Sequence, residues 1–455
     1  MRNLCIAWLL FSTTNVIAQT IALPQAAAAP VVDWPSFLGP GGDGKTTERG
    51  LKAWPANGPA IQWQLPVGEG YSAPIIVQGK CLIFDRVRNL VRCRCVSVAD
   101  ASEFWAFTYP STYVDKYNYD GGPRSTPVSD GTHVYLHGPE GMLHCVTLAE
   151  GKLVWKVDTF AQFGVVPNFF GVGSTPLILD NKLIVHVGGS PAGQQDKHLS
   201  EATSNGSAIV AFDKTTGKVL YQCGNDLASY ASPQITTLGG KQYGLIFARD
   251  GLIGFEPNQG KEIFRHPFRA RILESVNVSN ALVKGDQILL SESYAVGSTL
   301  LQFKNDAVST LWTAVPRRRE QGIAAHMNTP ILVGEHVYGC TGRQPNEAEL
   351  RCMEWATGKV TWRVQPQLGN DYLAGRGTLT YADGKFLYLA EEGVLFLLNA
   401  NPERYELLSV WDGRKLAGNK PLLPEPAWAA PVVSGGCIYL RGQGTLVCLR
   451  AYKLN

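Results

Sequence analysis

The sequence has little helical periodicity, few charges and almost no long apolar runs, and each shortage excludes a class of protein. Of its 455 residues only 17% are charged, and the net charge of +3 is scattered along the chain. That is too little and too dispersed for a nucleic-acid surface, and basic and aromatic residues do not gather into a nucleic-acid motif. The apolar run at 4–11 is too short to span a bilayer and no later segment is apolar enough, so no transmembrane segment is expected. Zinc-like spacing of Cys and His is missing. So is a Ser or Cys nucleophile motif to accompany His137, His186 and His326, which therefore read as isolated histidines.

The short apolar run has a different reading. Arg2 precedes it and Val16-Ile17-Ala18 follows as a small-residue cleavage site before Gln19, the pattern of an export signal over 1–18. Cys5 lies inside the run instead of just after it, so no lipid anchor is expected. Ten cysteines less Cys5 leave nine, an odd number for an oxidising compartment. Cys93 and Cys95 alternate along one strand, and Cys145, Cys352 and Cys448 sit at equivalent points of successive repeats; most of the nine are expected to be small buried hydrophobes and not a disulfide framework. Residues 19–33 form an Ala-rich linker.

What the sequence has in plenty is turns, with 48 Gly and 27 Pro, and they punctuate a repeat. Between Gly122 and Trp155 four β-prone runs are separated by turn residues, and such a small sheet must stack on copies of itself to make a core. Pro74, Pro127, Pro176, Pro233, Asn280, Pro330, Thr380 and Pro431 each open a unit, at a spacing near 51 residues. That length fits a four-stranded propeller blade. An aromatic marks the last strand of seven units: Trp105, Trp155, Tyr221, Phe264, Trp312, Trp362 and, least regularly, Trp411. The eighth unit stops after three strands, and Ile61-Gln62-Trp63-Gln64-Leu65 supplies the fourth from the other end of the chain, which removes the exposed sheet edge. Residues 34–455 are therefore expected to be a single all-β, eight-bladed propeller of four-stranded antiparallel blades closed by an N-terminal strand, with seven blades as the fallback if the weak fifth or seventh unit fails. The segment from Trp34 is rich in turns and carries two aromatics, so it should pack on the body, while residues ahead of Ile61 should matter much less to stability than Trp63.

The turn before the last strand reads Thr-Gly-Lys ahead of the aromatic at 216–218 and 357–359, and Glu150-Gly151-Lys152 is a shortened form. This resembles the pyrroloquinoline-quinone-like (PQQ-like) propeller repeat shared by quinoprotein dehydrogenases and by BamB, the outer-membrane assembly propeller. The repeated residues are packing residues, so the resemblance is specific for fold and not for activity. It implies an exported, non-enzymatic propeller that binds a protein or small anionic ligand, possessing no cofactor and acting as a scaffold in envelope or outer-membrane protein assembly. The alternative it implies is a PQQ- and calcium-dependent oxidoreductase of alcohols or sugars. The adjacent cysteine pair of many quinoprotein alcohol dehydrogenases is missing, Cys93 and Cys95 being separated by Arg94, and no calcium-ligand set with a catalytic Asp stands out. A periplasmic or extracellular monomer follows from the first reading.

Repeat geometry assigns loops to faces. Residues just before each opening strand ring the axial mouth: Tyr71, Arg124, Phe170, Tyr230, Glu274, Asn328, Arg376 and Trp428. Loops between second and third strands add Arg86, Arg249, Tyr294, Arg343, Glu391 and Arg441. Longer connections on the same face bring Tyr119 and Asp120, Asn168, and Arg271 and Asn277. Six Arg against two Glu among the mouth and loop positions would make the mouth electropositive, suited to an anion or acidic partner. The competing reading is that Arg–Glu and Arg–Asp pairs tie blades together and the aromatics cap the core. Asp115, Asp120, Glu274 and Glu391 have unknown separations, so they read as solvated or Arg-paired rather than catalytic. The polar insertion at 188–206 is either a lid or a surface loop.

Overall fold

Alternating apolar residues fold this chain into short antiparallel strands, and the computed structural model arranges them as eight four-stranded sheets around one axis. It describes residues 32–273, 275–314, 319–370 and 372–452. The expected leader, and all of the expected linker but its last two residues, lie outside them. Blade 1 runs through Ile75–Val77, Lys80–Val87, Leu90–Ser97 and Glu103–Pro110. Blades 2 to 7 occupy 128–158, 177–223, 234–267, 282–314, 331–364 and 377–412, so the fifth and seventh units are complete. Blade 8 is built from both ends of the chain. Val432–Ser434, Cys437–Gly442 and Thr445–Arg450 are followed, in space, by Ala60–Pro66, which pairs antiparallel with the last of them.

The marker aromatics work between blades. The Trp63 indole donates to the Val98 carbonyl of blade 1 at 2.9 Å, Trp105 to Leu148 of blade 2 at 3.0 Å, and Trp155 to Lys214 of blade 3 at 3.0 Å. Trp312 and Trp362 repeat the bond, and Tyr221 makes it with its hydroxyl. The rings of Trp105, Trp155, Tyr221 and Trp312 also lie on the turn glycines of the next blade, Gly151, Gly217, Gly260 and Gly358. Gly217 has φ +70°, and a Cβ there would sit 2.8 Å from the Trp155 ring, so only glycine satisfies both the turn and the contact. Blade 7 departs from the pattern. Its register places Ser409, not Trp411, at the marker position opposite Leu397. Ser409 Oγ there receives the Trp54 amide and donates to the Trp54 carbonyl, bringing in a buried tryptophan from the N-terminal segment. Trp411, two residues on, still reaches the glycine of the next blade, Gly58.

The segment from Trp34 does more than pack on the body. Trp34 bridges Ile76 of blade 1 through two backbone bonds, Pro35 accepts the Ser129 amide of blade 2, and Lys45–Thr46 pairs in parallel with Tyr381–Ala382 of blade 7. The chain between these anchors enters the axial channel. Leu38 is buried there with φ +60°, a left-handed conformation that is costly for leucine and is held by the surrounding contacts. Gly39, beside it at φ +79°, lies under the Trp34 ring. Phe37 borders a cavity on each side, one of about 370 Å3 toward the mouth and one of about 510 Å3 toward the opposite face. The axis is thus plugged.

All nine described cysteines are free and buried, in keeping with their reading as small hydrophobes. The insertion at 188–206 is tied down by Asn205, which donates to the carbonyls of Phe163 and Ser190. It does not border the mouth cavity.

Candidate functional site at the axial mouth

The plug turns the mouth into a cup with Phe37 and Leu38 among its lining residues. The connections entering all eight blades supply most of the rest of its wall, because every opening strand starts at the axis, and Tyr294 and Arg343 join them from loops between second and third strands. Ten of the residues expected at the mouth line this cup: Tyr71, Tyr119, Arg124, Phe170, Tyr230, Tyr294, Asn328, Arg343, Arg376 and Trp428. Their aromatic rings form a continuous chain. Tyr71 and Trp428 lie 4.6 Å apart, Tyr119 is 5.6 Å from both Trp428 and Phe170, and Phe170 is 5.9 Å from Tyr230. The Phe170 amide donates to the Tyr230 hydroxyl at 2.8 Å, which satisfies that buried phenol.

The arginines divide by what occupies their donors. Arg124 binds Asp115 at 2.6 Å and lies over the rings of Tyr71 and Phe170, at 5.4 and 5.6 Å. Arg376 forms a bidentate pair with Glu391, whose Oε2 also accepts the Trp428 indole at 2.9 Å. Burial would raise the Glu391 carboxyl, but the bonds from Arg376 and Trp428 outweigh it and hold the group below the usual carboxylate range. Glu391 therefore orients two wall residues instead of facing a ligand. Arg343 is exposed and stacks over Tyr294 at 4.6 Å. Among the described residues no carboxylate lies within ion-pair distance of it.

The remaining residues expected at the mouth support it from behind. Arg86 donates to the carbonyls of Arg88, Ser111, Tyr113 and Gly121, clamping the Tyr-rich loop. Asp120 accepts the amides of Gly70 and Gly122 in the same loop. Arg249 binds Asn168 and the Leu273 carbonyl, Asn168 reaches the Ala228 carbonyl, and Asn277 bonds three carbonyls while fully buried. Arg441 bonds carbonyls around Ser72. Burial pulls Arg249 and Arg441 down to about 10, which still leaves both charged at neutral pH. Arg271 is exposed and does not line the cup, and Glu274 lies outside the described residues. The electropositive excess read from sequence reduces at the cup to Arg343, since the other guanidiniums are neutralised or spent on backbone.

Sequence reasoning passed over His326, which it treated as isolated. The side chain lines the cup, is 8% exposed, and has neither ring nitrogen bonded. Burial, then Arg376 and Arg343, lower it to about 4 despite Glu391, so it is neutral near pH 7. Its position just ahead of an opening strand was the available signal.

The propeller topology and a mouth built from blade-entry loops agree with what sequence comparison finds. A family model described as the outer membrane protein assembly factor BamB matches residues 88–364. The chain belongs to this family. No curated protein matches the sequence. Among solved structures, BamB from Moraxella catarrhalis is 13% identical over 86% of this chain and 97% of that one, with a TM-score of 0.55. The quinohemoprotein alcohol dehydrogenase from Comamonas testosteroni is 11% identical over 94% and 82%, at 0.59, and the C-terminal WD40 domain of Sif2 is 9% identical over 88% and 99%, at 0.53. At these identities the likeness is one of fold. Membership in the BamB family fixes the architecture, while an assembly factor and a dehydrogenase both stand among its structural neighbours. No helix among the described residues is long and apolar enough to cross a membrane.

Proposed function

We propose that the chain is an exported, non-enzymatic binding propeller whose working surface is the mouth cup, taking a protein segment or a small anionic ligand and serving as a scaffold in envelope assembly. The observation that carries this reading is the cup itself: a concave, aromatic-walled cavity in which, among the described residues, one arginine lacks a carboxylate partner and one buried imidazole lacks any. That combination of apolar wall and few convergent polar groups is what ligand sites have in common. Family membership supports the scaffold role.

The quinoprotein alternative requires a calcium site beside the quinone. Among the described residues no group of three or more His, Cys, Asp or Glu is placed to hold a metal ion. Asp115 and Glu391 are each committed to an arginine, and Asp120 to the amides of Gly70 and Gly122. Cys93 and Cys95 are buried within blade 1, not in the cup. The described residues around the cup do not supply the ligand set that cofactor pair needs.

The binding reading is tested with 8-anilinonaphthalene-1-sulfonate, a fluorescent aromatic anion. One saturable site is expected, weakened about tenfold by Trp428→Ala through the lost wall contact. Exchanging Arg124, Arg271 and Arg343 together for Ala should weaken it and flatten its salt dependence. Binding indifferent to both changes would refute the mouth as the working surface.

A further inference from the structure

We propose that the side of the cup formed between blades 5 and 6 is a subsite for a carboxylate carried on an aromatic body, with His326 and Arg343 as the groups that receive it. The inference rests on the reading of the mouth as a binding surface and names the ligand class that surface takes.

The two groups share one platform. His326 precedes the opening strand of blade 6 and its ring meets that of Tyr294 edge-on at 5.5 Å. Arg343 comes from the loop between the second and third strands of the same blade and lies over the Tyr294 ring. Asn328 fixes the backbone between them and the strand, donating to the carbonyls of His326 and Cys340. An imidazole this buried with both nitrogens unbonded is costly, because each unsatisfied group forfeits its hydration without replacement. The cup is where that deficit faces. Neutral His326 presents one N–H, and Arg343 presents a guanidinium fork, which together suit a planar oxyanion.

The charge count selects a monoanion. Arg124 and Arg376 are offset by Asp115 and Glu391, and Asp120 adds an unpaired carboxylate beside Tyr71. Among the described residues Arg343 is then the one lining guanidinium without a carboxylate partner, too little for a dianionic phosphate. The body attached to the carboxylate is set by the opposite wall, where Trp428, Tyr71, Phe170 and Tyr230 present rings. The cavity of about 370 Å3 has room for about a dozen waters at ~30 Å3 each, hence for an aromatic acid or for the last residues of a peptide. Both sources offer the same group.

The test compares acids with their amides by calorimetry on the full mature chain. Indole-3-propionate is set against indole-3-propionamide, and an acetylated tripeptide ending in Phe is used with a free and with an amidated terminus. The free carboxylate is expected to bind about tenfold more tightly than its amide, the size of one charge-assisted hydrogen bond. Arg343→Ala and His326→Phe should each bring the acid down to the level of the amide and leave the amide unchanged. His326→Gln, which keeps a donor, should retain part of the preference. Whichever pair binds more tightly identifies the source as free acid or chain terminus. Acid and amide binding equally, with Trp428→Ala weakening both, would overturn the carboxylate subsite and leave the mouth standing. A preference that survives Arg343→Ala would also overturn it, and that exposed residue carries the test alone if His326→Phe fails to fold. No binding by either member of either pair would overturn both readings.

Discussion

At the scale of single residues, the molecule separates buried charge that holds structure from charge left for contact, and Glu292 shows what the first kind does. It is 2% exposed at the end of a blade 5 strand, accepts a hydrogen bond from Ser275 and is pushed up to about 8 by burial, against the smaller pull of Ser275 and Arg269. In the unfolded chain its ordinary value is 4.5. Below that both states hold the proton and stability is undiminished. As pH rises toward 8 the folded protein keeps a proton the unfolded chain has lost, so stability falls across that window. Glu292→Gln should therefore leave Tm nearly unchanged at pH 4.5 and raise it by a few degrees, at roughly 1 °C per kcal/mol for a ring of this size, at pH 8; an equal difference at both pH values would refute the assignment. His186 titrates in the opposite sense. Its Nδ1–H donates to the Ala208 carbonyl and its Nε2 accepts the Ser229 amide; burial favours the neutral ring and lowers it to about 4, against the opposite pull of the Ala208 bond. At this scale the sequence was readable only in part. It placed Arg86, Arg124, Arg249, Arg343, Arg376 and Arg441 on one face, but which guanidinium spends its donors on carbonyls depends on loop closure between residues far apart in the chain.

At the scale of the blade, legibility was high, because the repeat encodes local geometry. A turn glycine, a marker aromatic and an opening proline recur in most units, and where they recur they make the same contact. Trp63 is the strongest case, since its ring is buried and its indole bonds the first blade across the closure. Trp63→Ala should destabilise the protein by about 3–5 kcal/mol, read by denaturant unfolding. Trp63→Phe, which keeps the ring and loses the bond, should cost nearer ~1 kcal/mol. A small effect of both would mean that the ring does not depend on this joint. Blade 7 was counted correctly from Thr380 and Trp411, but its marker position was illegible for a definite reason: the residue that meets Ser409 there, Trp54, lies 355 positions away and belongs to no repeat.

At the scale of the whole molecule, the N-terminal segment changes the energetic picture drawn from sequence. Residues ahead of Ile61 were expected to matter little, yet Trp34, Leu51 and Trp54 belong to the buried core beside blades 1, 7 and 8. Glu48 accepts amides from Gly435 and Gly436 and the hydroxyl of Tyr452, joining the segment to the last blade. Removing 1–31 is expected to leave Tm within about a degree, whereas removing 1–48 should lower it by several degrees, Trp34 alone being worth ~3–5 kcal/mol. Equal melting of the two truncations would show that the plug is decoration. The short turn-rich stretch at 34–44 has no periodicity, so nothing in it announces that it would leave the ring's outer surface for its axis.

The plug also gives the ring a front and a back. With Phe37 and Leu38 across the hub, no polypeptide can be threaded from one side to the other, and whatever enters the cup must leave by the door it came in. Occupancy is then governed by a single entrance, so a partner seated there blocks exchange of anything beneath it. A small acid bound first would be sealed in by the partner that docks second, and the two would report on one another without any change in the shape of the propeller.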